Sequence, residues 1–209
     1  VLGATATIVS PNDPATLITG LDVGSYQFVW EIYNGMCGFG PPSRDTVQVD
    51  IFDSQAPPAQ AGSDISWCTP TSTAVLTAND PIFPATGTWT SISGTGVIVD
   101  PSDPNTLITG LGVGQHDFLW TINNGACGSS SDGISVFIFD GNMEGASAGS
   151  DQELCTPTTN TTLAGSPATF PATGLWTVIT GTGVFTDDTD PGTTVSGLSI
   201  GTNTFQWTL

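Results

Sequence analysis

The chain has 209 residues, one Lys or Arg against 19 Asp or Glu, and a formal charge of −18 at pH 7. That balance excludes nucleic acid and anionic membrane as expected partners, because both repel a polyanion. No apolar run reaches the roughly 18 residues a membrane span needs, and only 10% of residues are charged, which predicts a surface chiefly of Thr, Ser, Asn, Gly and Gln.

The chain opens on a turn-rich stretch, Ser10–Leu21, SPNDPATLITGL. A period-two strand follows, with Phe28, Trp30 and Ile32 on one face, and then a second with Val47, Val49 and Ile51. A short linker near Ser54–Gln60 leads to further strands at Ala74–Ala78, Gly87–Ser91 and Thr106–Leu111. Phe118, Trp120 and Ile122 then share a face, Asn124-Gly125 signals a hairpin, and Ile134, Val136 and Ile138 line the returning strand. After a linker near Gly141–Ser147 the pattern restarts and reaches Phe205, Trp207 and Leu209. No convincing helix is found.

The elements recur. Asp100–Leu111 reads DPSDPNTLITGL, identical to Ser10–Leu21 at nine of twelve positions with an offset of 90, and Asp187–Leu198 is a third version offset by 87. Trp30, Trp120 and Trp207 are equivalent; so are Trp89 and Trp176, Cys37 and Cys127, and Cys68 and Cys155. A long fixed period marks a repeat array, and six or seven short strands per period mark an immunoglobulin-like sandwich. The expected organisation is all-β: part of a unit at 1–56, a complete unit at 57–143 and part of a third at 144–209, strung as beads in a window on a longer chain. Units of 87–90 residues are marginal by burial alone, so Trp30, Trp89, Trp120, Trp176 and Trp207 are assigned to the cores.

The cysteines admit two pairings. Sequential pairing joins Cys37 to Cys68 and Cys127 to Cys155; pairing inside the unit joins Cys68 to Cys127 and leaves Cys37 and Cys155 for partners outside the window. The last strand runs away from Cys127 for about 8 residues, or about 25 Å, whereas a disulfide needs Cα atoms within about 7 Å. Cys68–Cys127 is therefore the expected bond, which places the chain in an oxidising compartment.

Candidate sites are few. Asp100 and Asp103, with Asp187, Asp188 and Asp190 in the third copy, are the carboxylates to consider for calcium; Asp-Pro is equally an ordinary turn former. Asp64, Asp140, Glu144 and Asp151 are a second acidic set near the linkers. No other cofactor is expected. Trp67, beside Cys68, is the candidate exposed aromatic for stacking on a glycan, since the stretch before Cys155 reads Glu153-Leu154 instead. Asn160 fits an N-glycosylation acceptor and Thr46 an Asp-Thr-apolar O-glycosylation pattern. The single His116 has Tyr26 and Asn203 as counterparts and is placed on the outward face of its strand, with no nucleophile or orienting acid nearby, so no enzyme is expected.

The order AGSD, Cys, GTWTSISGTG, a DPxDPxT turn, TGLxVG and FxWTIxNGxC, closed by a Val-rich strand, resembles the Ig-like or PKD-like repeats of very large Bacteroidota surface proteins. These include SprB-type gliding-motility adhesins and other type IX secretion cargo. Trp89-Thr-Ser-Ile-Ser-Gly stands where standard PKD domains carry WxFGDG. The resemblance implies an extracellular, bacterial-surface stalk or adhesive filament, contacting neighbouring repeats, surface glycans or other cells, without entering the membrane. The rival readings are a glycan-binding or spacer module of a secreted polysaccharide-degrading enzyme and a self-assembling extracellular filament subunit.

Overall fold

The computed structural model describes residues 6–33, 35 and 41–209. Among these the regular structure is all β apart from short 3-10 turns, such as that at Gly125–Cys127. The first unit contributes β1 (Thr7–Ile8), β2 (Ile18–Thr19), β3 (Gly24–Ile32) and β4 (Ser43–Ile51). The middle unit contributes β5 (Ile65–Cys68), β6 (Thr73–Val75), β7 (Thr86–Ser93), β8 (Val97–Ile98), β9 (Leu107–Thr109), β10 (Gly114–Asn123) and β11 (Ser129–Phe139). The third contributes β12 (Asn160–Thr162), β13 (Leu175–Thr180), β14 (Val184–Phe185), β15 (Thr194–Ser196) and β16 (Thr204–Thr208).

The middle unit shows the full plan. One sheet runs β5-β11-β10-β7 and the other β6-β9-β8. All pairs are antiparallel except β5, which lies parallel to β11 with Cys68 opposite Phe139. Alternation does the rest. Phe118, Trp120 and Ile122 of β10, and Ile134, Val136 and Ile138 of β11, all turn inward and are at most 3% exposed. Trp120 lies opposite Trp89 in the register, and the two rings pack at 5.2 Å between centroids. Gly87 sits under the Trp120 ring, where a Cβ would collide with it; Gly174 does the same beneath Trp207. The incoming chain is tied down by β11, whose Ser130 Oγ and Asp132 Oδ2 accept the backbone N–H groups of Ala59 and Ala61.

The third unit repeats this core, with Trp176 and Trp207 2% and 4% exposed and 5.1 Å apart. The first unit differs. Its described strands form the β3-β4 and β1-β2 pairs, and among the described residues no strand corresponding to β6 or β7 lies over the inner face. Trp30, assigned to a core from its sequence position, is consequently 38% exposed, against 0% for Trp120. The position is core-facing; the covering strands make the difference.

The first and middle units meet at a defined contact. Phe52, just past β4, lies against Gly125, at φ +52°, and leaves no room for a Cβ there. It also packs against the middle unit's core. Asn124 Nδ2 donates to the carbonyl of Asp53 at 2.8 Å. Both linkers begin alike: Asp53 Oδ1 accepts the Gln55 N–H at 2.8 Å, and Asp140 Oδ1 accepts the Asn142 N–H at 2.9 Å. Phe52→Ala is expected to loosen this joint without unfolding either unit. Small-angle scattering should show a broader distribution of inter-unit distances, with a melting midpoint within a few degrees of wild type.

Candidate functional site

Four of the five carboxylates considered for calcium are spent on turns. Asp100 Oδ1 accepts from the N–H of Ser102 at 2.9 Å and from its hydroxyl at 2.7 Å; Asp187 treats Thr189 the same way. Asp103 and Asp190 accept the N–H groups of Asn105 and Gly192. These bonds hold the Asp100 and Asp187 carboxyls below the usual range, with the neighbouring hydroxyl as the main cause. Among the described residues no three His, Cys, Asp or Glu side chains gather as a metal set. Of the calcium candidates Asp100, Asp103, Asp187, Asp188 and Asp190, four therefore take the alternative turn role: Asp100, Asp103, Asp187 and Asp190 each bond their own loop, so these carboxylates do not converge on one point. Asp64 belongs to the sheet instead, accepting the Ser135 N–H at 2.9 Å.

His116 also requires correction. It is 2% exposed and shares the inward face of Phe118 and Trp120. Its Nδ1 accepts the Thr95 N–H at 3.0 Å, and Nε2–H donates to the Gly112 carbonyl at 2.9 Å, which specifies the neutral Nε2–H tautomer. The counterparts do the same work. Tyr26 Oη donates to the carbonyl of Asp22 at 3.0 Å; Asn203 Nδ2 donates to that of Ser199 at 2.9 Å, while its Oδ1 accepts the Thr182 N–H. Each side chain bonds back to the residue four earlier, the job of the tyrosine corner in immunoglobulin sandwiches. With both ring nitrogens committed to backbone, His116 is a strut.

Asp117, its neighbour, faces outward and gathers Ser93 (2.6 Å), Ser135 (2.7 Å) and Gln115 (2.8 Å) from three strands. These bonds, Ser93 first, hold its carboxyl below the ordinary value. A depressed folded-state pKa contributes stability above the unfolded value of about 4 and loses it as pH falls through the lower, folded value. Asp117→Ala should therefore flatten part of the acid limb in a plot of stability against pH from 6 down to 2. An unchanged acid limb would assign that limb to other carboxylates.

The expected Cys68–Cys127 disulfide does not form. Cys68, Cys127 and Cys155 are free and exposed, and Cys37 lies outside the described residues. Cys127 ends the 3-10 turn before β11, whereas parallel pairing carries Cys68 to the other end of that strand, opposite Phe139. The 11 residues of β11 put about 33 Å between them. The residue spacing shows how far β11 runs but not at which of its ends β5 stops.

Trp67 is 52% exposed on the edge strand β5. With Ile65, Val75, Leu107, Thr71 and Thr73 it lines a groove of about 490 Å³. An aromatic face flanked by hydroxyls suits a sugar ring. Thr46 and Asn160 are both exposed. Sequence reasoning passed over Phe83 and Phe170, exposed at 67% and 62% in equivalent turns, although the repeated Phe-Pro-Ala-Thr-Gly motif was there to flag them.

No family model matches the chain, and no curated protein does. Among solved structures it is similar to the PKD domain of the KIAA 1837 protein, at 20% identity and a TM-score of 0.36 over 44% of this chain and 92% of that one. The PKD domain of human KIAA0319 is matched at 19% identity and 0.35, over 39% and 80%. Cadherin domains 1–4 of protocadherin gamma B7 are matched at 13% and 0.34, over 93% and 56%. Likeness at this level carries no argument about function; the all-β sandwich stands on the chain's own strand order. Among the described residues, no helix is long and apolar enough to cross a membrane.

Proposed function

We propose that the chain is the non-enzymatic repeat region of a large surface adhesin or filament, in which Ig-like beads, divided near residues 56 and 143, stack into an extended extracellular stalk. The observation that carries this reading is the joint: Phe52 and Asp53 seat against Gly125 and Asn124 of the next unit, and the linker after Asp140 starts with the same turn. A joint that repeats gives length in proportion to copy number, on the order of 35–40 Å per unit. The anionic surface, at a formal charge of −18, keeps parallel stalks apart. Attachment or gliding on a bacterial surface, with contacts to glycans or other cells, is the biological use we assign, and it rests on the repeat resemblance. Scattering from chains of increasing unit number should show the maximum dimension rising by a constant step; a dimension that saturates would refute the stalk.

The Trp67 groove favours a second reading, a glycan-binding spacer in a secreted enzyme. Under it, a glycan array should retain the chain and Trp67→Ala should weaken retention, a lost aromatic contact being worth about 0.5–1.5 kcal/mol, or roughly 2- to 13-fold in Kd.

A further inference from the structure

We propose that the cysteines of this repeat cross-link successive units: the cysteine ending the β5-type strand of one unit pairs with the cysteine of the β10–β11 hairpin in the unit that follows. The proposal rests on the array reading above. It joins two observations made at different joints of the same repeat.

In the middle unit, Phe139 is registered against Cys68, and its carbonyl accepts the N–H of Thr69 at 2.9 Å. The β5-type cysteine thus lies at the end of the unit where the chain leaves for the next, as the bond from Gly141 N–H to Thr69 Oγ1 at 2.9 Å also shows. At the preceding joint, Phe52 occupies the place of Phe139, and Cys127 Sγ lies 3.9 Å from the Phe52 carbonyl. The equivalent carbonyls of Phe139 and Phe52 are thus flanked, one by a β5-type cysteine on its own sheet and the other by a hairpin cysteine from the next unit. Sharing that neighbour places the two cysteines on one side of the joint, and the proposed bond requires their Cα atoms to come within the roughly 4.4–6.8 Å that a disulfide spans. Neither pairing drawn from residue spacing has this geometry. Cys68–Cys127 spans the length of β11. In Cys127–Cys155 the hairpin sulfur faces the preceding unit, while Cys155 is the sequence counterpart of Cys68, which lies at the far end of its own unit.

The chemistry needs an oxidant, for which a small-molecule disulfide of the oxidised-glutathione class suffices. One cysteine thiolate attacks it and releases the first half as a thiol. The second cysteine thiolate attacks the resulting mixed disulfide and releases the other half as a thiol. Two cysteine thiols are oxidised, one disulfide is reduced, and the two cysteine protons end on the two thiols released. The product bridges each joint over a carbonyl that already belongs to both units.

The test extends the full chain in register. Leu209 is equivalent to Ile32, so a second copy starting at Tyr33 continues the third unit without a break. After incubation with oxidised glutathione, unreduced peptide mapping should find Cys68 joined to Cys37 of the second copy, and Cys155 joined to Cys127 of the second copy. Cys68→Ser in the first copy should remove the first cross-link and spare the second. A map with Cys68–Cys127 linked within one unit, or with both inter-unit pairs still free thiols, would overturn the proposal. Scattering on the reduced protein separates the two claims: an extended particle without cross-links leaves the stalk standing and removes the staple, whereas a collapsed particle removes both.

Discussion

Trp120→Ala is expected to destabilise the middle unit by about 3–5 kcal/mol, a large share of the stability of a domain this size. Trp120 is fully buried, packs on Trp89 and fills the space between the two sheets. Its indole N–H finds no partner among the described residues, whereas that of Trp207 donates to the Ser166 carbonyl at 2.9 Å, so the value of Trp120 lies in volume and contact. Gly87→Ala should act through the same ring, since the added methyl meets it directly. Overpacking costs about 1–3 kcal/mol. Trp30→Ala is the contrast: partly exposed, it should cost under about 1 kcal/mol. Urea denaturation followed by backbone NMR signals assigned to each unit gives the three midpoints. Equal losses at Trp30 and Trp120 would contradict the difference in covering described for the two units.

His116→Ala should cost about 2–3 kcal/mol, because it strips partners from the Thr95 N–H and the Gly112 carbonyl at once. His116→Asn should recover most of that loss. Asn203 already performs both bonds in the third unit, to the Ser199 carbonyl and from the Thr182 N–H. The residue pair is a control for the strut itself: if Asn is as damaging as Ala in thermal melts, the stabilising feature is ring packing and not the corner bonds. The position also shows how three unlike side chains satisfy one geometric demand, a polar group reaching back four residues while the strand turns into the sheet.

Much of this was legible from residue order. The repeat, its phase and the period-two faces identify β10 and β11 and their inward residues, because alternation is a local property of extended backbone. His116 has the parity of Phe118 and Trp120 and so belongs inside with them; polarity alone suggests the opposite face, and parity wins because two backbone groups meet its nitrogens. The DPxDP carboxylates read equally as metal ligands or turns, and the choice falls to the turn once each is seen to bond its own loop.

Local pattern thus determined which residues face inward, where turns fall and how often the design recurs, since each depends on neighbours a few positions away. The tertiary structure alone decided that β5 runs parallel to β11 and delivers Cys68 to the far end of the bead. Sheet partner and direction are set by contacts some seventy residues apart in the chain, and no short-range periodicity encodes them.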